Sequence, residues 1–256
     1  DKRPDMHVQD VTEGALRTAI VTGGATRVGR ALCMRLARRG HPVVVHYRTS
    51  TAEAESLVAE IRSSGGQALA VAADLVNEAA CRTVIEAAVA WRGAPGILVN
   101  NASIFTRQTL AETTEASLVA EFWPNFFAPV LLSRSFAAQA SGGGVIINLL
   151  DRRVKANDTR FFAYTLAKKA LADFTELAAV ALAPAIKVFG IAPGPILPPP
   201  GQDMAYLKEK GGKRLLEDAL DPDAIADAMD ALLGLRGSTG QTLFIDAGQH
   251  LLGNGV

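Results

Sequence analysis

Two side chains able to move a proton stand four residues apart in Tyr164-Thr165-Leu166-Ala167-Lys168. In a helix that spacing puts both on one face. A phenol titrates near ~10 and needs help to exchange a proton at neutral pH. A neighbouring ammonium stabilises the phenolate and lowers its pKa. Tyr-x-x-x-Lys alone is a common accident, so its weight rests on where it sits. Asp151 lies thirteen residues before Tyr164, just past the apolar run Val145–Leu149. A carboxylate there can hold or pass a proton, or simply pair with Arg152, Arg153 or Lys155. Asn125 is followed four residues later by Pro129, which has no N–H and so frees the Asn125 carbonyl. The bland reading of that pair is a helix kink without chemistry.

A second chemistry is written near the start. Thr22-Gly23-Gly24-Ala25-Thr26-Arg27-Val28-Gly29 follows the β-branched run Arg17–Thr22. Glycines let a backbone turn tightly and approach a pyrophosphate, and the next helix N-terminus favours its charge. An ordinary strand–helix turn is the alternative, weakened by the position after the first strand of a βαβ array. The next strand ends in His46-Tyr47-Arg48-Thr49-Ser50. A carboxylate here would accept the ribose 2′-hydroxyl of NAD. A guanidinium and two hydroxyls instead suit a 2′-phosphate, which favours NADPH/NADP+, unless Arg48 merely points to solvent.

The elements that position these groups alternate. Strands are expected at Arg17–Thr22, Pro42–Tyr47, Gln67–Ala72, Gly96–Val99, Val145–Leu149, Ile186–Ile191 and Thr242–Ile245. Helices are expected at Val28–Arg39, Ala52–Ser63, Glu78–Trp91, Phe161–Leu182 and Asp223–Leu233, with one or two more in Leu110–Ala140. This rhythm implies βαβ units and a parallel sheet. With no reset or linker, it predicts one α/β domain over 17–256: a Rossmann-type doubly wound sheet of about seven strands, helices on both faces. Residues 1–16 are polar and read as a flexible tail. The Pro/Gly-rich stretch Pro193–Gly201 follows a strand C-terminus, where open α/β sheets bind ligands.

Lys+Arg and Asp+Glu number 26 each, which speaks against a dedicated nucleic-acid binder. Hydrophobic residues make up 49%, enough for a sizeable core. No apolar run approaches the ~20 residues that span a bilayer, so no membrane role is expected. Cys33 and Cys81 form no disulfide framework and no CxxC spacing. Together with His41 and His250 they suggest no metal. A reduced cytoplasmic protein is expected.

The glycine turn resembles the TGxxxGxG turn of the short-chain dehydrogenase/reductase family, with Arg27 where its middle glycine usually stands. Asn100-Asn101-Ala102-Ser103 resembles that family's NNAG turn, and the likeness runs from about Arg17 to His250. It implies that Asp74 and Leu75 lie near the adenine and that Asn101, Ala102 and Ser103 line the ribose. It also implies that Pro193, Gly194 and Ile196 border the nicotinamide, and that Lys168 binds its ribose. The Asn125 carbonyl would hold a relay water reaching Lys168. Asp151 departs from the family's usual serine.

Arg27, the His46–Ser50 stretch, Asn100–Phe105 and Asp151 together resemble pteridine reductases and the related dihydromonapterin reductases. In that group a pterin ring is sandwiched between nicotinamide and an aromatic side chain, here Phe105, with Arg27 and Ser103 nearby. Offset stacking suits a flat heteroaromatic, although Phe105 is also readable as a core or lid residue. The resemblance implies hydride delivery from NADPH to a ring C=N bond. Tyr164, supported by Asp151, would supply the proton. Arg152-Arg153 adds positive charge that either pairs with Asp151 or draws an anionic substrate tail. Pro198-Pro199-Pro200 stiffens a loop that usually moves, and Tyr206 and Leu207 fall in a segment suited to cover substrate. The alternatives are a carbonyl reductase of, for example, a 3-oxoacyl thioester, and a catalytically silent NADP-binding sensor. Broad apolar faces on Phe122–Ala138 and Phe161–Ala183 point to a homo-tetramer.

Overall fold

A computed structural model describes residues 16–198, 203, 205, 207, 209, 211–217 and 220–252. The expected tail (save residue 16), Pro199, Pro200 and Tyr206 lie outside the described residues. Seven parallel strands form one sheet: β1 (Ala19–Val21), β2 (Val43–Tyr47), β3 (Ala68–Ala72), β4 (Ile97–Asn100), β5 (Gly144–Leu149), β6 (Ile186–Pro193) and β7 (Thr242–Ile245). Their order is β3-β2-β1-β4-β5-β6-β7. The order reverses between β1 and β4, so crossover helices leave on opposite faces and a crevice opens at the carboxyl ends of those strands.

The strands are apolar at consecutive positions because both faces are covered. Alternate residues feed two separate cores. Ala19, Val21, Val43, Val45, Val99 and Ile147 pack on one face with α1 (Arg27–Arg38), α2 (Thr51–Ser63) and α7 (Pro222–Gly234). Ile20, Val44, Leu98, Ile146 and Val188 pack on the other, with α3 (Glu78–Arg92), α5 (Ala128–Gln139) and α6 (Phe162–Ala181). Each helix turns a buried stripe inward, such as Leu32, Cys33 and Leu36 of α1. Among the described residues no helix is long and apolar enough to cross a membrane.

The region expected to hold one or two helices is more divided. It contains a 3-10 turn at Leu110–Glu112, α4 (Glu115–Phe122), a π turn at Trp123–Phe127 and then α5. Thr114 caps α4 by accepting the Ser117 N–H. The π turn has a local cause. Pro129 has no N–H to give the Asn125 carbonyl, and the Ala128 N–H bonds the Trp123 carbonyl five residues back. The first strand is also shorter than expected, three residues against six: Arg17 and Thr18 lie before it and Thr22 already belongs to the turn that follows.

Candidate active site

The glycine turn is tied to the sheet at the β1–β4 reversal. Thr22 Oγ1 donates to Val99 O (3.3 Å) and accepts from the N–H groups of Asn101 (2.9 Å) and Ala102 (3.0 Å). Asn101 Nδ2 donates back to Thr22 O (2.8 Å) and Gly23 O (3.0 Å). A Cβ on Gly29 would stand 2.1 Å from Gly23 O, so only glycine lets α1 begin this close to the turn. Thr26 at the N-cap of α1 makes no side-chain hydrogen bond to the first turn. Val28, half-buried, follows in that turn. The first N–H groups of α1 thus meet no side-chain cap, an arrangement that fits an anion at the helix N-terminus. Arg27, at the middle-glycine position, has φ +55°, a conformation that favours glycine. Its exposed guanidinium donates to Pro198 O at 2.9 Å, linking the turn to the Pro-rich loop.

The groups expected at the 2′-phosphate divide in two. Tyr47 and Ser50 are half-buried, and Arg48 and Thr49 are exposed at the carboxyl end of β2. His46 turns inward. Its Nδ1 accepts the Gly23 N–H (3.1 Å), so the proton sits on Nε2, which donates to Ala73 O (3.0 Å). Burial pushes its pKa down, which keeps the ring neutral. Both nitrogens are taken, so His46 braces the turn instead of offering a contact of its own to a phosphate. Past β3, Asp74 is exposed and Leu75 is buried. On β6 and beyond, Pro193 is half-buried and Ile196 is buried. Gly194 donates to Ile245 O at 2.9 Å, and a Cβ there would lie 2.9 Å from Asp246 Cα.

At the chemical end, Tyr164 Oη donates to Asp151 Oδ2 at 3.0 Å. Strand β5 delivers Asp151 and α6 delivers Tyr164, so the thirteen-residue spacing closes into a contact. Asp151 Oδ1 also accepts the Arg153 N–H (2.8 Å), and the Arg153 guanidinium reaches Oδ1 (3.2 Å) and Oδ2 (3.0 Å). The pairing alternative for Asp151 is therefore realised with Arg153, alongside the Tyr164 contact. Lys168, only 2% exposed, donates from Nζ to Leu149 O at 2.8 Å, 5.8 Å from the Tyr164 ring centroid.

Burial pushes the Tyr164 phenol well above its usual range, the Asp151 charge adds to that, and Arg153 opposes it. The cation that opposes them, Arg153, is one the sequence left undecided between pairing with Asp151 and drawing an anionic tail. Lys168 itself is drawn down to about 8 by burial, against the pull of Asp151 and Glu121.

Asn125 is fully buried in the π turn. Its Nδ2 donates to Ile104 O (3.0 Å) and Glu121 O (2.9 Å), and its Oδ1 accepts from Ser103 Oγ at 2.6 Å. The side chain thus braces the loop after β4. Phe105 on that loop is 44% exposed, so it is not a core residue. It meets the Tyr164 ring edge-on at 4.7 Å and stacks on Phe161 at 4.1 Å. The Arg153 guanidinium lies 5.0 Å from both phenylalanine ring centroids.

Reasoning from sequence missed Phe161 and Glu121 and left Arg153 undecided. Phe161 is adjacent to the Tyr-x-x-x-Lys helix but carries no spacing signal. Glu121 had one faint mark, a lone carboxylate inside an otherwise apolar helix turn, four residues before Asn125.

The short chain dehydrogenase family model matches residues 17–205, well over half of the chain. The chain belongs to the short-chain dehydrogenase family. An uncharacterized oxidoreductase of Mycobacterium tuberculosis (strain CDC 1551 / Oshkosh) is 33% identical to this short-chain dehydrogenase over 243 residues, 91% of each chain. A dihydromonapterin reductase of Klebsiella pneumoniae subsp. pneumoniae is 29% identical over 239 residues, covering 92% of this chain and 97% of that one. Among solved structures, the FolM alternative dihydrofolate reductase 1 from Brucella canis, complexed with NADP, superposes with a TM-score of 0.88 at 35% identity. That match covers 93% of this chain and 95% of the Brucella chain. The sequence and the fold place this short-chain dehydrogenase among pterin-reductase-like members of an oxidoreductase family.

Proposed function

We propose that this short-chain dehydrogenase is an NADPH-dependent reductase acting on a C=N bond of a small pterin-like substrate, such as a dihydropterin or dihydrofolate. The observation that carries the reading is the Tyr164–Asp151 hydrogen bond lying against the exposed ring of Phe105. A hydroxyl and a carboxylate beside an aromatic face suit a flat ring with several N–H groups and basic nitrogens. The NADP-bound Brucella enzyme and the Klebsiella dihydromonapterin reductase support it.

In this reading the cofactor supplies the hydride, and the chain does the rest. Gly23, Thr26, Arg27, Val28 and Gly29 face its pyrophosphate, and Tyr47, Arg48, Thr49 and Ser50 its 2′-phosphate. Asp74 and Leu75 border the adenine, Asn101, Ala102 and Ser103 the ribose, and Pro193, Gly194 and Ile196 the nicotinamide end. Phe105, Arg27 and Ser103 hold the substrate ring. Tyr164 gives its proton to the ring nitrogen, Asp151 orients that hydroxyl, Lys168 sustains the charge balance, and Asn125 fixes the loop that carries Ser103. The protein works as a homo-tetramer, a reading supported by the exposed Leu177 and Val180 of α6.

The test follows NADPH oxidation by absorbance with dihydrobiopterin, dihydrofolate and an acetoacetyl thioester in parallel. Pterin or folate turnover that Tyr164→Phe abolishes and Asp151→Ser impairs is the expected result. Turnover of the thioester alone sinks the pterin assignment and leaves a carbonyl reductase.

A further inference from the structure

We infer that Arg153 and Asp158 are positioning residues for the proton step: Asp158 pins the Arg153 guanidinium, and that guanidinium neutralises and aims the Asp151 carboxylate to which Tyr164 is bonded. The inference rests on the reading above, through the proton that Tyr164 gives.

The geometry is a chain of contacts running in from solvent. Arg160 reaches Asp158 with its Nε (2.9 Å to Oδ1) and its Nη2 (3.0 Å to Oδ2). Asp158 Oδ2 accepts the Arg153 Nε–H at 3.1 Å. Arg153 Nη1 donates to both oxygens of Asp151, and Asp151 Oδ2 accepts from Tyr164 Oη. The Arg160 side chain is 45% exposed, whereas those of Asp158, Arg153 and Asp151 are 9%, 16% and 15% exposed. The guanidinium is a rigid planar fork, so a carboxylate on Nε and another on Nη1 together set its orientation. The Arg153 main-chain N–H holds Asp151 Oδ1 as well, at 2.8 Å. Asp158 is tied in turn to α6, because Thr165 Oγ1 donates to its main-chain carbonyl at 3.3 Å. Burial works to raise the Asp158 carboxyl, but Arg160 and Arg153 bring it down to about 2, so it keeps its charge.

The chemistry needs this clamp. When Tyr164 gives up its proton, negative charge develops on an oxygen 3.0 Å from Asp151 Oδ2. Like charges that close in a poorly solvated site oppose the transfer. A carboxylate that orients the phenol therefore requires a cation bound to it. Arg153 is the cation in contact. Lys168 bonds Leu149 O instead. Arg152 has Asp151, Asp158 and Asp246 in its surroundings but forms no ion pair with them among the described residues. Without Asp158, the Arg153 guanidinium would lose the contact that fixes its far side and would be free to leave Asp151.

The test has one readout without substrate and one with it. In the ligand-free protein the Arg153 Nε–H is identified as the ¹⁵N NMR signal that Arg153→Lys removes. It should exchange slowly with solvent, and Asp158→Asn should speed that exchange by roughly ten-fold or more. The second readout is kcat in a double-mutant cycle, with whichever of dihydrobiopterin and an acetoacetyl thioester is reduced. Arg153→Met should lower kcat by roughly ten-fold or more while Asp151 is charged. In an Asp151→Asn background, with no carboxylate left to neutralise, the same change should cost no more than about two-fold. Arg153→Lys keeps the charge and should recover most of the loss, which gives a second variant if the methionine form folds poorly. Equal losses in both backgrounds would mark Arg153 as merely structural and overturn the inference. So would an Nε–H that exchanges equally fast with Asp158 and with Asn at that position. Reduction of the thioester alone, with the expected cycle, would sink the pterin assignment and leave the clamp standing.

Discussion

At the scale of single residues, the site is a problem of charge in a dry place. In the proposed reaction Tyr164 must release a proton, yet burial and its bond to Asp151 both hold the proton on. Arg153 opposes them by neutralising Asp151, and its guanidinium also covers Phe105 and Phe161. On the proposed mechanism Lys168 carries the pH dependence. Its folded value, about 8, lies below the ordinary lysine value of 10.5. The ammonium is therefore present below pH 8 and lost above it, and kcat should fall on the alkaline side with a midpoint near that value. The sign for stability is the reverse. Between about 8 and 10.5 the unfolded chain binds more protons at this site. The burial penalty of Lys168 is thus relieved as pH rises through that window. A kcat profile flat to pH 10, measured with saturating substrates, would remove Lys168 from the proton path.

At the scale of elements, the cofactor end depends on how closely α1 approaches the turn that precedes it. Gly29 decides this, because a Cβ there would stand 2.1 Å from the Gly23 carbonyl oxygen, far inside van der Waals contact. Gly29→Ala should push α1 away from the turn and disturb the Asn101 bonds to Thr22 and Gly23. The expected cost is at least about 2 kcal/mol of stability, with NADPH binding weakened by roughly ten-fold or more. Thermal melting and an NADPH fluorescence titration read the two effects. An unchanged affinity would mean that the helix N-terminus does not hold the pyrophosphate. The π turn works in a similar local way: Pro129 alters the bonding of one turn, and that turn presents the Asn125 side chain to Ser103 and Ile104.

At the scale of the molecule, the sheet brings the ends of β1 to β6 to one edge, and a buried polar chain ties two of its strands to α6. Asn100 Nδ2 donates to Asn148 Oδ1 (2.8 Å) across β4 and β5, and Asn148 Nδ2 donates to Thr175 Oγ1 (3.0 Å) on α6. That chain anchors the helix bearing Tyr164 and Lys168 to the strand preceding Asp151. The same helix exposes Leu177 and Val180, 70% and 80% accessible, on its far side. In an assembly built about twofold axes a residue near the axis meets its own copy. Val180→Glu should therefore oppose like charges and shift the protein to smaller species without unfolding it. Sedimentation velocity checks this, and a wild-type chain that sediments as a monomer would rule out the tetramer.

The fold class was legible because its signals are local and repeated. Consecutive apolar strand residues report a sheet covered on both faces, and the alternation with helices dictates parallel strands. The glycine turn, the Tyr164–Lys168 spacing and Asp151 were legible for the same reason: each is a short pattern whose chemistry depends on residue type and separation. What the sequence could not specify depends on contacts between distant segments. His46, a structural residue by its place at the strand end yet beside the expected 2′-phosphate site, braces the glycine turn, because its ring meets Gly23 on one side and Ala73 on the other. Phe161 and Glu121 gained their places only when α6 and α4 packed beside the loop after β4. Asp151 was ambiguous between partners until the fold gave it both Tyr164 and Arg153. Proton affinities in such a site follow from burial and from charges a few ångströms away. Neither exists until the chain has folded, so the sequence named the side chains that can carry protons, and the tertiary structure decided which charges govern them.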